Sequence, residues 1–222
     1  MLSFVEENYL KALLYLSSVD RAMTQKAGVG TNDLAAYLEV KPSTVNEMLK
    51  RLKEKSLVNH EKYKKVTLTT AGEGIGFKLM RKHRLWETFL YTKLEFDWDE
   101  VHDIAEQLEH IKSDKLVERI DKFLDYPNYD PHGDPIPNSK GVLPKRDTSR
   151  LSLIDKSSIC TMLAVSDTSK DFLQYLEDLK IRIGTEIKVL DRVSYDGSMK
   201  ISKEGEVITL SKKVTDNILV GV

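Results

Sequence analysis

Six side chains on two stretches of the chain carry donor atoms of the kind that hold divalent transition metals. His83 and Glu87 are spaced i, i+4, and His102, Glu106, Glu109 and His110 stand at i, i+4, i+7 and i+8. At about 100° per residue, the first two share one face of a helix and the other four fall within an arc of roughly 100°. Neutral imidazoles and carboxylates are the nitrogen and oxygen donors such ions take. A merely solvated charged face is the simpler alternative, and a lone His–Glu pair would fit it. Three of the chain's five histidines, each with a carboxylate at helical spacing, fit it poorly. The two Glu-x-x-His motifs of a di-iron bundle are missing, as is the His-Glu-x-x-His of zinc proteases. No Ser/His/Asp order, P-loop or Gly-rich dinucleotide motif occurs, so catalysis has no visible seat.

Two long helices must position these groups. Thr70 with Glu73 predicts a capping box for a helix reaching about Leu94, and Asp97 with Glu100 predicts the start of another reaching about Lys112. Val101, Ile104, Ala105, Leu108 and Ile111 give the second helix an apolar stripe beside its donors. Upstream, helices are expected at Phe4–Ser17 and Thr31–Leu38, then a tight turn at Val40–Ser43. A third helix running to Lys55 is expected with Thr44 and Glu47 as its capping box. Two short strands, Leu57–Asn59 and Val66–Thr69, flank a polar turn. Helix, helix, turn, helix and hairpin make a winged helix-turn-helix.

The third helix buries Val45, Met48, Leu49 and Leu52 and leaves Ser43, Thr44, Asn46, Glu47, Lys50 and Arg51 to solvent. From Lys41 to Lys65 there are eight basic residues, among them Lys50, Arg51, Lys62, Lys64 and Lys65, against three acids. The whole chain carries a formal net charge of -1. A bulk polycation is therefore excluded, but a local basic patch lies where a recognition helix and wing would meet DNA phosphates. Ser43, Thr44 and Asn46 are placed nearest base edges. A solvated basic helix in a generic bundle is the competing reading.

At 222 residues, with 41% hydrophobic and 31% charged residues, the composition is globular rather than disordered. A single cysteine, Cys160, excludes an internal disulfide framework and any multi-cysteine zinc or iron–sulfur site. Glu6 and Glu7 stand where a signal peptide would be basic, and no apolar run is long enough to span a bilayer. A reducing, cytoplasmic setting without membrane contact is expected. Five of the six prolines fall from Pro127 to Pro144, marking a boundary or a long ordered loop. Beyond it, alternation at Ile159, Thr161, Leu163 and Val165, a helix from Lys170 to Leu179, and further alternation from Ile181 onward predict a small β-barrel. Cys160 reads as a packed residue of that first strand.

Three segments carry a resemblance to a known family. They are Met80-Arg-Lys-His-Arg-Leu-Trp-Glu87, Glu100-Val-His-Asp-Ile-Ala-Glu-Gln-Leu-Glu-His110 and Gly133-Asp-Pro-Ile-Pro137. Together with the winged helix they resemble the metal-dependent repressors of the diphtheria-toxin-repressor and manganese-transport-regulator family, over essentially the whole chain. The resemblance implies a mainly α protein with a smaller β domain. Residues 1–72 would form a winged helix-turn-helix, residues 73–145 a helical metal-binding and dimerisation domain with a proline-rich linker, and residues 146–222 an SH3-like, FeoA-like barrel. It also implies a homodimer that binds operator double-stranded DNA when loaded with metal, with no small organic substrate.

Carried over residue by residue, Glu106, Glu109 and His110 fall on the family's primary metal site. His83, Glu87 and His102 fall on positions used for a second ion or shared between ions. The family's N-terminal helix supplies one more ligand, Met in iron-type and Asp in manganese-type members. That position here is Asn8, which offers an uncharged amide oxygen. Iron-type members have Cys in place of Glu106. Asp130 and His132 match a pair found in a streptococcal-like branch, with Asp in place of its Cys, and Asp171 lies near a donor position of the C-terminal domain. Hard donors in place of Cys and Met point to Mn(II), then Fe(II), as effector, with Zn(II), Co(II) or Cd(II) able to substitute in vitro. A winged-helix regulator not controlled by metal, and a carboxylate-based metalloenzyme, are the alternatives from other classes.

Overall fold

The computed structural model describes residues 2–24, 28–61 and 64–221, with the side chains of 18–24 outside the description. Contacts divide the chain into two compact units. One is Met1–His83 with Glu109–Lys112 and Pro137–Val142; the other is Arg84–Leu108, Ser113–Ile136 and Leu143–Val222.

In the first unit, α1 (Phe4–Thr24), α2 (Thr31–Tyr37) and α3 (Pro42–Glu54) precede a hairpin of β1 (Val58–Asn59) and β2 (Thr67–Leu68). The hairpin is antiparallel, pairing Val58 with Leu68 and Asn59 with Thr67. Leu10 and Leu13 of α1, Leu34 of α2, and Val45, Leu49 and Leu52 of α3 share one core with Val58 and Val66. Their spacing on each helix buries one stripe and leaves the polar faces outward. This is the winged helix-turn-helix expected.

Three local expectations change. The first helix is longer than its apolar pattern suggested and opens on an unforeseen capping box: Ser3 N–H donates to Glu6 Oε2 (2.9 Å), while Glu6 N–H donates to Ser3 Oγ (3.3 Å). Helix α3 starts at Pro42 behind Lys41, with no side-chain cap, so Thr44 and Glu47 lie inside the helix rather than capping it. Proline at the first helical position needs no amide partner and has its φ already set, which explains the earlier start. Helix α4 (Thr70–Leu94) is capped one residue earlier than expected, by Thr69 Oγ1 accepting from Gly72 N–H (3.1 Å).

The second unit holds the later part of α4 with α5 (Val101–Leu108), α6 (Asp114–Phe123) and the C-terminal domain. Leu90, Val101 and Ala105 form one small core, and Leu85, Ile120 and Ile136 another. Helix α5 ends at Leu108, not near Lys112; Glu109 and His110 form a turn beyond it. Helix α6 was not foreseen. Its signal is present in Ser113, whose Oγ accepts from Leu116 N–H (3.3 Å), followed by Leu116, Val117, Ile120 and Phe123 at helical spacing.

The C-terminal domain is an antiparallel six-stranded sheet around one apolar core, SH3-like but not closed. Its order is β3 (Ser149–Arg150), β8 (Ile218–Gly221), β4 (Ile159–Val165), β5 (Glu186–Arg192), β6 (Met199–Lys203) and β7 (Glu206–Leu210), with α7 (Lys170–Asp178) and α8 (Lys212–Asn217) alongside. Cys160 is buried on β4, and burial pushes its thiol up to about 11, as suits a packed residue. The pairing of β4 with β8 shifts register between Met162 and Ala164. That bulge leaves Leu163 outside the ladder.

Candidate functional site

Most of the donor residues named from the sequence fall into two groups, one in each unit. In the first, Glu109 is fully buried at 0% exposure. Its Oε2 lies 2.7 Å from His83 Nδ1 and 2.8 Å from Lys11 Nζ. Burial opposes ionisation of this carboxyl, but the hydrogen bond from His83 and the charges of Lys11 and His83 outweigh it and hold the group below the usual range. His110 Nδ1 lies 2.7 Å from Glu7 Oε2, and its ring stacks on Phe4 at 4.6 Å. Its Nε2 is left 3.9 Å from Glu109 Oε1.

Glu109 Oε1 has no hydrogen-bond partner among the described residues, and neither does the buried Asn8 Oδ1, which lies on α1 between Glu7 and Lys11. Buried polar atoms are nearly always satisfied, so two such oxygens on donor residues call for a missing partner. An uncharged amide oxygen, a carboxylate and an imidazole with its other nitrogen anchored by a carboxylate suit a hard or borderline divalent cation. The residues present therefore fit a metal ion. Glu7 and Lys11, which organise the group, were not singled out from the sequence. Their only signal is that both lie within one turn of Asn8 on α1.

The second group gathers Glu87, Asp130 and His132, all buried, with donor atoms within 4.8 Å of one another. His102 Nδ1 lies 3.2 Å from Glu87 Oε1 and its Nε2 lies 3.7 Å from Glu106 Oε1. Burial, then the neighbouring Glu87 charge, pushes the Asp130 carboxyl well above its ordinary range. Burial lowers His132 and so favours the neutral, ligand-competent imidazole, with Glu87 opposing. Two carboxylates packed together out of water repel each other, and a cation beside them would relieve that repulsion.

Much of Asp130 is spent on shaping its own loop. Its Oδ1 accepts from His132 N–H (2.8 Å) and Asp134 N–H (3.0 Å), and its Oδ2 faces Arg84 Nε at 3.6 Å. Arg84 also binds Asp134 Oδ2 (3.1 Å) and the carbonyl of Pro135. His132 stacks on Trp98 at 5.8 Å. The loop is clamped to β4: Val165 N–H donates to His132 O (3.0 Å), and Arg146 donates to the carbonyls of Gly133 and Leu163. Asp171 is exposed in the first turn of α7 and is in neither group.

The basic surface lies on the first unit. Ser43, Thr44, Asn46, Lys50 and Arg51 are exposed on α3, and Lys64 and Lys65 are exposed on the wing. A concave face is lined by Asn46, Lys50, Lys53, His60, Lys64 and Lys65. Lys64 pairs with the exposed Glu61 at 2.6 Å. Lys62 lies outside the described residues. No helix among the described residues is long and apolar enough to cross a membrane.

A winged helix with an exposed basic helix, joined to buried clusters of metal donors, defines a DNA-binding protein of the metal-responsive class. Comparison with known proteins then gives the family. Residues 1–66 match the iron-dependent repressor N-terminal DNA-binding domain, residues 69–138 the iron-dependent repressor metal-binding and dimerisation domain, and residues 149–222 the FeoA domain. The diphtheria toxin repressor of Corynebacterium diphtheriae is 29% identical over 187 residues, covering 80% of this chain and 81% of that protein. A manganese-dependent transcriptional repressor solved in complex with manganese is 34% identical, with 97% of this chain and 98% of that one covered and a TM-score of 0.85. The manganese regulator SloR is 33% identical, with 97% of each chain covered and a TM-score of 0.73. The chain belongs to the diphtheria-toxin-repressor and manganese-transport-regulator family of metal-dependent, DNA-binding transcriptional repressors. That family is one of dimeric regulators and not of enzymes.

Proposed function

We propose that this chain is a Mn(II)-activated repressor of divalent-metal uptake genes, acting in the cytoplasm as a homodimer on operator DNA, with Fe(II) as the second-ranked effector. The observation that carries this reading is the orphaned buried oxygen Glu109 Oε1, 3.9 Å from the anchored imidazole of His110, with a second orphaned oxygen, Asn8 Oδ1, on the helix that supplies Glu7 and Lys11. The donors Asn8, His83, Glu109 and His110 in the first unit, and Glu87, His102, Glu106, Asp130 and His132 in the second, are oxygen and nitrogen atoms without thiolate or thioether. Such a set favours Mn(II) and Fe(II) over softer ions. Asp171 is proposed as an outlying donor from the C-terminal domain.

When bound, a divalent ion supplies a positive centre that donors on different segments share. Within the first unit those segments are α1, through Asn8, and the turn bearing Glu109 and His110. The same helix carries Glu6, whose Oε1 lies 2.6 Å from Lys55 Nζ just past the end of α3. Helix α1 thus links the donor turn to the recognition helix, and ordering α1 biases where α3 sits. The switch is a population shift toward a DNA-competent dimer, with two recognition helices meeting successive major grooves about 34 Å apart. Ser43, Thr44 and Asn46 read base edges, while Lys50, Arg51, Lys62, Lys64 and Lys65 hold phosphates.

The test is a ranking experiment. Metal-stripped protein is titrated separately with Mn(II), Fe(II), Zn(II) and Co(II), and DNA binding is followed against free metal concentration. Activation by Mn(II) at free-ion levels met in cells, with Fe(II) next, is expected; activation by Zn(II) alone would overturn the choice of metal.

A further inference from the structure

We propose that Lys11 is a built-in counter-cation of the Glu109 site: its ammonium fills the charge role of the divalent ion in the metal-free chain and sets how much metal is needed to take its place. This inference rests on the reading of Asn8, His83, Glu109 and His110 as metal donors.

The geometry is specific. Lys11 follows Asn8 by three residues, so both project from the same side of α1. Its Nζ lies 2.8 Å from Glu109 Oε2, and its side chain is 17% exposed against 0% for Glu109. Salt and water screen such a pair weakly, so the ammonium strongly stabilises a carboxylate that would otherwise be buried with only the His83 imidazole beside it. The acidic residues on this part of α1 are engaged elsewhere, Glu7 by His110 and Glu6 by Lys55. The α1 contribution to the site is thus an uncharged amide and a positive charge.

A divalent ion arriving at Glu109 meets this arrangement as an opponent. Either Lys11 swings away along its flexible four-carbon stem and gives up its ion pair, or it stays and repels the ion at close range. Both routes subtract from metal affinity and raise the concentration at which the site fills. The same residue keeps the empty site folded, so the metal-free chain persists as a competent sensor rather than opening around an unpaired carboxylate.

The experiment compares Lys11→Met, which keeps the stem and removes the charge, with Lys11→Gln and Lys11→Arg, on the full chain at fixed pH and ionic strength. Mn(II) dissociation constants are measured by calorimetry against a competing chelator, and thermal midpoints are recorded in excess chelator and in excess Mn(II). The Met and Gln variants are expected to bind Mn(II) about tenfold more tightly or better, and to melt earlier than the parent only when metal-free. The Arg variant should stay near the parent. Met and Gln variants that bind Mn(II) no more tightly than the parent would overturn the role of Lys11. Glu109→Gln serves as the separate check on the site itself: it should lose one ion per chain in the parent and in the Lys11→Met background, and full stoichiometry there would instead overturn the assignment of the donors.

Discussion

His110 gives its Nδ1 to Glu7 Oε2 at 2.7 Å and keeps its Nε2 on the Glu109 side, 3.9 Å from Oε1. An imidazole whose one nitrogen donates to a carboxylate is fixed in tautomer and orientation, and its other nitrogen becomes a better ligand. Glu7→Gln should therefore weaken Mn(II) binding by about 10–100-fold without unfolding the chain. Calorimetry checks this directly, and parent-like affinity would show that His110 is oriented by its stacking on Phe4 alone.

The loop bearing Asp130 and His132 depends on a close approach to β4. Gly133 has φ +86, and a Cβ there would sit 2.1 Å from Leu163 O, the carbonyl that the bulge exposes to Arg146. Gly133→Ala should displace the loop, because a left-handed backbone and a steric clash are imposed together. Metal stoichiometry should fall by one ion per chain while the Glu109 group keeps its affinity. Unchanged stoichiometry would remove Asp130 and His132 from the donor set.

Acid should loosen the link between α1 and α3. The hydrogen bond from Lys55, then that from Ser3 N–H, holds the Glu6 carboxyl below its ordinary value of 4.5, with burial opposing. A carboxyl whose folded pKa is depressed contributes stability fully above its unfolded value and loses it as pH falls through the folded one. Glu6→Gln should accordingly melt earlier than the parent near pH 7, with the gap closing below about pH 4. A gap that stays constant down to pH 3 would mean that shape, not charge, holds the pair.

On the wing, Lys64 faces solvent beside Glu61, and Lys50 faces it from α3. Lys64→Ala should lower affinity for all DNA sequences alike and reduce the salt slope of binding by about one unit. A sequence-dependent loss with an unchanged slope would place the wing away from the phosphates.

Most of the architecture was legible because periodicity survives folding. The core stripe of α3 stands where the pattern predicted it, and β4 is a strand as predicted, but its buried face is Cys160, Met162 and Ala164 rather than the alternating set that begins at Ile159, which is exposed. The misses fall where tertiary contacts or cap chemistry decide. Helical spacing runs on past Leu108, yet the chain turns there, since Glu109 pairs with Lys11 and His83 and His110 pairs with Glu7, residues far away in sequence. Pattern counting assigns Glu109 and His110 to a helix face; only long-range pairing reveals a turn. Thr44 and Glu47 had the right residue types for a cap, but Pro42 starts the helix before them. Lys11 and Glu7 escaped notice because an orienting or opposing charge needs no fixed spacing from the donors it serves.

The most direct measurement compares one preparation under three conditions, using operator DNA selected from a random-sequence pool and read by fluorescence anisotropy. With excess chelator, specific binding should be weak. Added Mn(II) should restore tight binding, and Glu109→Gln should remain weak even with Mn(II). Tight, sequence-specific binding in chelator, equal to that with Mn(II), would contradict metal control of this protein.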